Sequence, residues 1–412
     1  MTDQDQKDRR KYGWMMVGIT FSLTALSFGI LSSVGIFLKP LAAEFGWSRG
    51  GLSFGYTTIT LSTAFSGVIW GIIADRHGTR WIALFGAFAM TIALLLMSGL
   101  NSLWEFYLFH LMFGALGHGA LSVPLYANAG LWFTKNIGLA LGVTAAGGAF
   151  GQGVVPMVAR VLITQFGWET AYLVLGIGYF IIALPLALMV RDAPRHKVNE
   201  HDGRPLMRDG TIFPLAPVSV IIWLSSAVVF CCITMSVPIV HLVSLLTDRG
   251  IYPEVAVSAL LALMIAGAFG RIIGGKLTDM IGALKGYTFM SIGQTILVFG
   301  FPLITSMTAI YGLAILFGTF YSGVMASFII CARVMIPAQY MARSMSIIAM
   351  FGWFGMGLGA WQGGFMYDIT GDYFWSFTIA SIAGLINICI LLLFTQHIRR
   401  AKNKTGFVKA MA

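Results

Sequence analysis

One arginine lies deep inside an apolar stretch, where its charge demands an explanation. Arg271 follows residues 255–270, and no other charged residue stands between it and Glu254. If this stretch crosses a bilayer, a guanidinium that cannot lose its proton lies within the hydrocarbon. Such a placement costs about 2.5 kcal/mol or more, and a charge that is kept there indicates a functional site. The natural partner is an anion, which a guanidinium can hold through two parallel hydrogen bonds.

Histidine offers a second chemistry, because its charge changes near neutral pH. His118 lies in the middle of an apolar run, and no Asp or Glu stands in the middle of any such run. We therefore expect His118 to be the proton carrier, unless it is a neutral histidine that hydrogen-bonds neighbouring helices. Ser122 and Tyr126 follow at intervals of four residues, which predicts one polar helix face. Such a face binds a substrate or holds helices together.

The composition indicates a membrane protein. Hydrophobic residues make up 58% of the 412 residues and charged residues only 10%, against about 25% charged residues in soluble domains. The first apolar run, residues 13–38, is too long for the core of a cleavable signal peptide. The net charge of +10 does not indicate nucleic-acid binding, since the basic residues lie beside the apolar runs and set orientation. The four cysteines lie in apolar runs without converging metal ligands, so we expect no metal and no cofactor.

Twelve apolar runs are long enough to span a membrane, which needs roughly 20 residues. The basic segment 191–212 divides them six and six. We therefore predict an all-α membrane protein of two pseudo-symmetric six-helix bundles, residues 13–190 and 213–397, joined by a cytoplasmic linker at 191–212. Residues 1–12 and 398–412 are predicted cytoplasmic tails. The predicted spans are residues 13–38, 51–74, 81–100, 104–133, 137–166, 168–190, 217–246, 254–278, 287–306, 309–335, 344–366 and 372–397.

Lysine and arginine residues fall mainly on one side of the predicted membrane. The N-terminus, the loops after spans 2 and 4, the middle segment and the C-terminal tail are basic, whereas the opposite loops hold only Lys39, Arg49 and Arg249. The side richer in Lys and Arg is cytoplasmic. We therefore expect a monomeric, multi-pass protein of a cell membrane, such as a bacterial inner membrane, with both termini in the cytoplasm. Arg160, near the outer end of span 5, is expected to reach the lipid headgroups.

The two halves of the sequence repeat short motifs. Gly-x-x-x-Asp-x-x-Gly occurs at residues 71–78, after span 2, and at residues 275–282, after span 8. A carboxylate at a helix end pairs with a basic group or caps a neighbouring helix. A similar glycine-rich motif also occurs in both span 5 and span 11. Repeated six-span halves indicate a rocking secondary transporter. The motif copies therefore predict cytoplasmic latches at Asp75, Arg76, Arg80 and Asp279.

The loop after span 2 resembles the loop signature of the major facilitator superfamily, with Gly71-Ile-Ile-Ala-Asp75-Arg76-His-Gly78-Thr-Arg80. Three further segments are similar to its monocarboxylate-transporter branch and the bacterial relatives of that branch, which include oxalate/formate exchangers. The resemblance implies that a small anion crosses the membrane between two six-helix bundles. The three segments are Tyr12-Gly13-Trp14, residues 132–142 at the start of span 5, and residues 238–250 at the end of span 7.

The resemblance also implies a binding site. Arg271 stands where that branch keeps its carboxylate-binding arginine. His241 matches a substrate or gate residue near the end of span 7, and Tyr321 lies in span 10, which lines the cavity in this superfamily. The expected substrate-binding residues are therefore Arg271, His241, Tyr321, Ser122 and Tyr126.

The sequence departs from the family pattern at three positions. Gly267 stands where mammalian-type members hold an Asp one turn before the arginine. Ser32 aligns with their first-span Lys, and Gly352 aligns with the span 11 Lys of the oxalate exchangers. A single basic residue in the cavity fits a monoanion better than a dianion. We therefore predict a proton-coupled carrier of a lactate- or pyruvate-like monocarboxylate, with the carboxylate bound by Arg271.

Other functions were weighed against this prediction. Without the family Asp, facilitated diffusion or exchange of organic anions, as in the oxalate/formate exchangers, stays open. A drug exporter of the same fold would need an acidic residue inside the spans, where this sequence has an arginine. An enzyme or a receptor would need clustered nucleophile, base or metal ligands, or an added soluble domain. The sequence offers neither, so we expect no enzyme.

Overall fold

The computed structural model describes residues 3–133, 137–193, 213–337 and 340–411. Within those residues the chain forms twelve helices. They are Asp3–Phe45 (α1), Arg49–His77 (α2), Thr79–Met97 (α3), Leu103–Leu131 (α4), 137–166 (α5), 168–188 (α6), Pro217–Asp248 (α7), Pro253–Ile281 (α8), Ala283–Gly300 (α9), Met307–Met335 (α10), Met341–Thr370 (α11) and Phe374–Met411 (α12).

The helices confirm the predicted all-α fold. Ten of the described helices are long and apolar enough to cross a membrane. One of them continues through α5 and α6, which Gly167 separates because its φ of 84° and ψ of 167° are not helical. Helix α9, with 18 residues, completes the twelve helices of the described chain. Both termini lie on one side of the bundle, here called the terminal face, and the opposite side is called the distal face.

Most helices extend beyond the predicted spans, and α9, at Ala283–Gly300, is displaced from the predicted 287–306. Helix α1 begins at Asp3 and α12 ends at Met411, so helix extends into both predicted tails. At the N-terminus this is expected, since residues 3–12 hold no Pro or Gly that would end a helix. Helix α4 contains a π-helical turn at Phe113–His118, which hydropathy does not reveal. The predicted linker lies outside the described residues from 194 to 212.

The repeated Gly-x-x-x-Asp-x-x-Gly motif makes the same turn in both halves. Its last glycine adopts a left-handed backbone, with φ 88° at Gly78 and 103° at Gly282. Each of these glycines donates its N–H to the carbonyl four residues earlier at 2.9 Å. Side chains rarely adopt this backbone conformation, so glycine is required there. The motif therefore reverses the chain between α2 and α3 and again between α8 and α9.

Glycines in α5 and α11 allow close helix packing within each half. A Cβ atom at Gly151 would lie 1.8 Å from the Ala25 carbonyl oxygen of α1. A Cβ atom at Gly355 would lie 2.3 Å from the Val229 carbonyl oxygen of α7. Small residues of this kind permit backbone contact between membrane helices. The repeated glycine-rich motif thus has the same packing role in both halves.

The substitution Gly151→Ala is expected to destabilise the N-terminal half. The added methyl group meets a backbone carbonyl rather than a flexible side chain, and such overpacking costs about 1–3 kcal/mol. The midpoint of thermal unfolding of the purified protein should therefore fall by several degrees. Gly142→Ala in the same helix is the control, because nothing lies within 4 Å of its added methyl group. Equal melting of both variants would contradict this packing role.

The two halves meet along three helix pairs, namely α2 with α11, α5 with α8 and α1 with α7. Thr57 of α2 donates a hydrogen bond to the Gly357 carbonyl of α11 at 2.7 Å. A Cβ atom at Gly153 of α5 would lie 2.8 Å from Leu261 of α8. These pairs border the space between the halves, where the predicted site residues Arg271 and His118 also lie.

Candidate functional site

Arg271 bridges the two halves. It lies on α8, ten residues before Ile281, or about 15 Å from the helix end at 1.5 Å per residue. Its Nη1 atom donates a hydrogen bond of 2.7 Å to the Ala145 carbonyl oxygen on α5 of the other half. Its Nε atom is buried and has no hydrogen-bond partner among the described residues. The guanidinium is thus anchored at one nitrogen and keeps donors for an anion.

Two of the predicted tyrosines lie beside Arg271. The Tyr126 side chain on α4 and the Tyr321 side chain on α10 are both within electrostatic range of the guanidinium. Tyr321 donates a long hydrogen bond of 3.3 Å to the Met264 sulfur, a weak acceptor that a stronger one could replace. Tyr126, Tyr321 and Arg271 therefore lie near one another, on three helices and in both halves, and their role in substrate binding stays a prediction.

Gly267 explains how Tyr321 approaches α8. A Cβ atom at Gly267 would lie 3.2 Å from the Tyr321 hydroxyl oxygen and 2.7 Å from the Ser322 hydroxyl oxygen. An Asp at this position would therefore require the Ser322 and Tyr321 side chains to move. The glycine at the position of the family Asp is thus fitted to the packing of this chain.

His118 lies at the interface between the halves. Its Nδ1 atom is 2.5 Å from the Ser27 hydroxyl of α1, while its buried Nε2 atom has no hydrogen-bond partner in the described part of the chain. The Phe28 ring packs edge-on against it at 4.6 Å and the Trp353 ring of α11 at 5.6 Å. His118 ends the π-helical turn, and such turns are frequent at functional sites.

The surroundings of His118 and those of Arg271 meet at Gly148 of α5. A Cβ atom at Gly148 would lie 3.3 Å from the Phe28 ring and 3.6 Å from the Tyr126 hydroxyl oxygen. Phe28 contacts His118, and Tyr126 lies near Arg271. Gly148 of α5 therefore lies against both surroundings. Ser122, on the predicted polar face of α4, has its hydroxyl buried and without a hydrogen-bond partner among the described residues.

His241 lies away from this group. Its Nε2 atom is 2.7 Å from the Ala360 carbonyl oxygen of α11, and its ring packs 5.3 Å from the Tyr373 ring. The ring is wholly buried between α7 and α11, inside the C-terminal half. Described contacts thus connect His241 with the distal face rather than with Arg271, and a direct role in substrate binding stays a prediction.

The distal face carries an ion-pair network that the sequence analysis did not predict. Arg49 of α2 binds both carboxylate oxygens of Asp248 of α7, at 2.5 and 3.0 Å. Lys39 of α1 binds the same carboxylate at 2.6 Å. The Asp368 carboxylate of α11 accepts the backbone N–H groups of Arg49 and Gly50 at 2.9 and 2.6 Å. We call Lys39, Arg49, Asp248 and Asp368 the distal ion-pair cluster.

Aromatic residues complete the surroundings of Arg49. Its guanidinium lies 3.7 Å above the Tyr367 ring and donates to the Tyr373 hydroxyl at 3.1 Å. Burial raises the pKa of Tyr373 to about 12, so this phenol is neutral at pH 7 and Asp248 supplies the balancing charge. Basic residues of the N-terminal half thus bind acidic residues of the C-terminal half. In the sequence, basic residues of one half and acidic residues of the other half stand at the distal ends of spans. That pattern could have predicted this cluster.

The structure corrects the expectation that Arg160 reaches the lipid headgroups. The Arg160 Nε atom instead pairs with the Glu254 carboxylate of α8 at 3.2 Å. Thr164 donates to the same oxygen at 3.1 Å. This contact also joins the two halves at the distal face. Hydropathy alone could not identify the partner, since the two residues lie 94 positions apart.

The predicted latches at the terminal face remain predictions. The Asp75 side chain lies outside the described residues, while Arg76, Arg80 and Asp279 have exposed side chains. Another carboxylate caps α3, because the Thr79 N–H donates to the Asp192 carboxylate. Asp192 follows α6 of the same half. A helix N-terminus favours such a negative partner.

Loss of the distal ion-pair cluster is expected to open the distal face. Arg49→Gln removes charge-assisted hydrogen bonds, each worth about 1.5–3 kcal/mol. Even a net loss of about 1 kcal/mol shifts the equilibrium between the closed and the open distal face about fivefold. A cysteine placed at Thr247 should then react at least about fivefold faster with a membrane-impermeant maleimide in a Cys389→Ser background. Arg249→Gln is the control, because Arg249 bonds only to carbonyls of its own half in the described contacts. Unchanged labelling in Arg49→Gln would contradict a closing role.

Comparisons with known proteins agree with the fold. The family profile of the Major Facilitator Superfamily matches residues 20–360 and 222–410. Monocarboxylate transporter 12-B of Danio rerio is 22% identical over 423 residues, covering 94% of this chain and 88% of that protein. Monocarboxylate transporter 13 of Bos taurus is 24% identical over 378 residues, covering 90% and 86%.

A fungal relative and a solved structure give the same result. The MFS-type transporter 1 of Ophiocordyceps sp. (strain BCC 1869) is 26% identical over 294 residues, covering 69% of this chain and 63% of that protein. The crystal structure of a D-xylose-proton symporter superposes with a TM-score of 0.74 at 15% identity, covering 92% of this chain and 97% of that one. The chain belongs to the major facilitator superfamily and is a multi-pass membrane transporter, not an enzyme, related to the monocarboxylate transporters.

Proposed function

We propose that this transporter carries a small monocarboxylate, similar to lactate or pyruvate, by alternating access. The observation that carries the proposal is the position of Arg271. It is a cation within a membrane span, between the two halves, with a buried Nε atom that has no partner in the described structure. A planar carboxylate matches the guanidinium fork. The hydroxyls of Tyr126 and Tyr321 would donate to the same anion.

The Ala145 carbonyl explains how binding would be linked to movement of the halves. Arg271 belongs to the C-terminal half and Ala145 to the N-terminal half, and their 2.7 Å hydrogen bond joins the two. A carboxylate is a stronger acceptor for a guanidinium than a neutral carbonyl. Substrate binding therefore competes with this contact. A ligand shifts a conformational equilibrium only through such differences between states.

Proton symport is the coupling that we propose, with His118 as the proton carrier. The site supports it because His118 has an unpartnered nitrogen and lies against Trp353 of the opposite half. Relative movement of the halves would expose the histidine to water. An alternative is exchange of organic anions, which is favoured by the absence of Asp and Glu from the middle of every span in the sequence. Drug export is disfavoured, because the embedded charge is positive.

We propose that the terminal face is cytoplasmic and that the protein acts as a monomer, for instance in a bacterial inner membrane. Exposed Arg76, Arg80 and Lys276 lie at the terminal face. At the distal face, Lys39 and Arg49 are balanced by Asp248. The distal face also holds the acidic residues Glu254, Asp368 and Asp372, so basic residues outnumber acidic ones mainly at the terminal face, as is typical of the cytoplasmic side.

Counterflow in proteoliposomes tests the substrate class. Vesicles loaded with unlabelled lactate, pyruvate, acetate, formate or oxalate are given labelled lactate outside. We expect lactate and pyruvate to drive labelled uptake well above that of empty vesicles and oxalate to drive much less, because one embedded cation neutralises one carboxylate. Oxalate driving the fastest uptake would favour the exchanger. Absence of counterflow with every carboxylate would contradict the proposed function.

A further inference from the structure

A small cavity lies between the halves near the distal face. It is bordered by Lys39 and Arg160 of the N-terminal half and by Ser244 and Thr247 of the C-terminal half. Its volume of about 30 Å³ has room for a water molecule but not for an organic acid. In this closed arrangement the cavity is thus the remnant of a space that widens when the halves separate.

Each basic residue of this cavity already holds a carboxylate. Lys39 binds Asp248 at 2.6 Å, and Arg160 binds Glu254 at 3.2 Å. Both carboxylates belong to the C-terminal half, so both ion pairs must break when the distal face opens. The N-terminal wall would then present two cations without their present partners to an aqueous cleft. Asp248 and Glu254 stay on the facing C-terminal wall, so an anion is attracted to the N-terminal wall alone.

We propose that Lys39 and Arg160 form a loading site for the carboxylate group of the substrate when the distal face is open. This inference rests on the proposed function. Asp248 and Glu254 are the competing ligands of the same two cations, and they displace the substrate carboxylate when the halves close. The substrate then moves inward to Arg271. Lys39 and Arg160 thus have two alternating sets of carboxylate ligands, one from the substrate and one from the protein.

Two double variants separate a loading site from a simple gate, because both break the Lys39–Asp248 and Arg160–Glu254 ion pairs. D248N also frees Arg49, which does not line the cavity. K39Q/R160Q removes the cations, whereas D248N/E254Q removes the carboxylates and leaves the cations free. The measurement is the KM for labelled lactate uptake into right-side-out vesicles, which present the distal face. We expect at least a fivefold rise in KM for K39Q/R160Q and at least a twofold fall for D248N/E254Q. Shifts of KM in the same direction for both variants would overturn the loading site.

Two controls exclude general effects of charge and folding. E44Q/E169Q removes two negative charges at exposed distal positions outside the cavity, and its KM should equal that of the wild type. A fall as large as that of D248N/E254Q would show an effect of surface charge and would overturn the loading site. Inside-out vesicles present the terminal face. There the KM of K39Q/R160Q should stay within about twofold of the wild type, which also shows that the variant is folded.

Arg271→Gln distinguishes failure of this inference from failure of the proposed function. If the wild type carries no lactate, or if Arg271→Gln carries it at the wild-type rate, both are wrong. If lactate transport depends on Arg271 while the two double variants shift KM alike, only the loading site is wrong. Opposite shifts together with dependence on Arg271 support both.

Discussion

Arg271→Gln is expected to lower the initial rate of lactate uptake into proteoliposomes by about 100-fold or more. Glutamine keeps hydrogen-bonding atoms but has no charge to balance a carboxylate within the membrane. Loss of one partner of a buried, hydrogen-bonded charge pair costs about 2–5 kcal/mol, and 2.7 kcal/mol corresponds to a factor of about 100. Arg271→Lys should give an intermediate rate, because it keeps the charge but not the planar fork. Wild-type rates in both variants would contradict carboxylate binding by Arg271.

Stability distinguishes a binding role of Arg271 from a structural one. No ion pair of Arg271 occurs among the described salt bridges, and its carbonyl partner is neutral. A charge within the membrane is costly, so its removal should leave the melting midpoint unchanged or raise it. A large fall in the midpoint of Arg271→Gln would indicate that the side chain mainly holds the halves together.

His118→Gln is expected to abolish lactate accumulation driven by a proton gradient while preserving lactate counterflow. Glutamine can still bond to the Ser27 hydroxyl, but it cannot take up a proton. Uptake by the wild type should rise as the external pH falls, because protonated His118 carries the proton inward, whereas uptake by His118→Gln should not respond to pH. The measurement compares accumulation under an imposed pH gradient with counterflow at equal pH.

His110→Gln is the matched control for this variant. His110 is another buried histidine of α4, but its Nδ1 atom lies 2.7 Å from the Phe106 carbonyl oxygen of its own helix. It lines a small cavity inside the N-terminal half rather than the interface between the halves. We expect His110→Gln to keep proton-driven accumulation. Full accumulation by His118→Gln would show that the proton is carried elsewhere.

Much of the fold followed from the sequence, because a membrane span requires a long apolar run. The all-α fold and its twelve helices were predicted on that basis. The π-helical turn that ends at His118 was not, since it changes backbone bonding without changing hydropathy. Helix extension from α1 towards Asp3 was also missed, because charged residues outside a membrane form helix as readily as they form a tail.

The site was predicted only in part. Arg271 was recognisable by its cost in an apolar run, and the polar spacing of α4 predicted one face for His118, Ser122 and Tyr126. The separation of His241 from this group was not predictable, because apolar residues occur on every side of α7 and hydropathy does not fix which face meets the cavity. The pairing of Arg49 with Asp248 spans 199 positions. Such contacts arise from the packing of the two halves and leave no local pattern.

Equilibrium binding of labelled lactate to the purified transporter tests the central claim most directly, because it separates substrate recognition from movement of the halves and from proton coupling. The wild type should bind lactate saturably, pyruvate should compete for the same site, and Arg271→Gln should show no saturable binding over the same concentrations while remaining folded. A folded Arg271→Gln variant that binds lactate with the wild-type Kd would contradict the account.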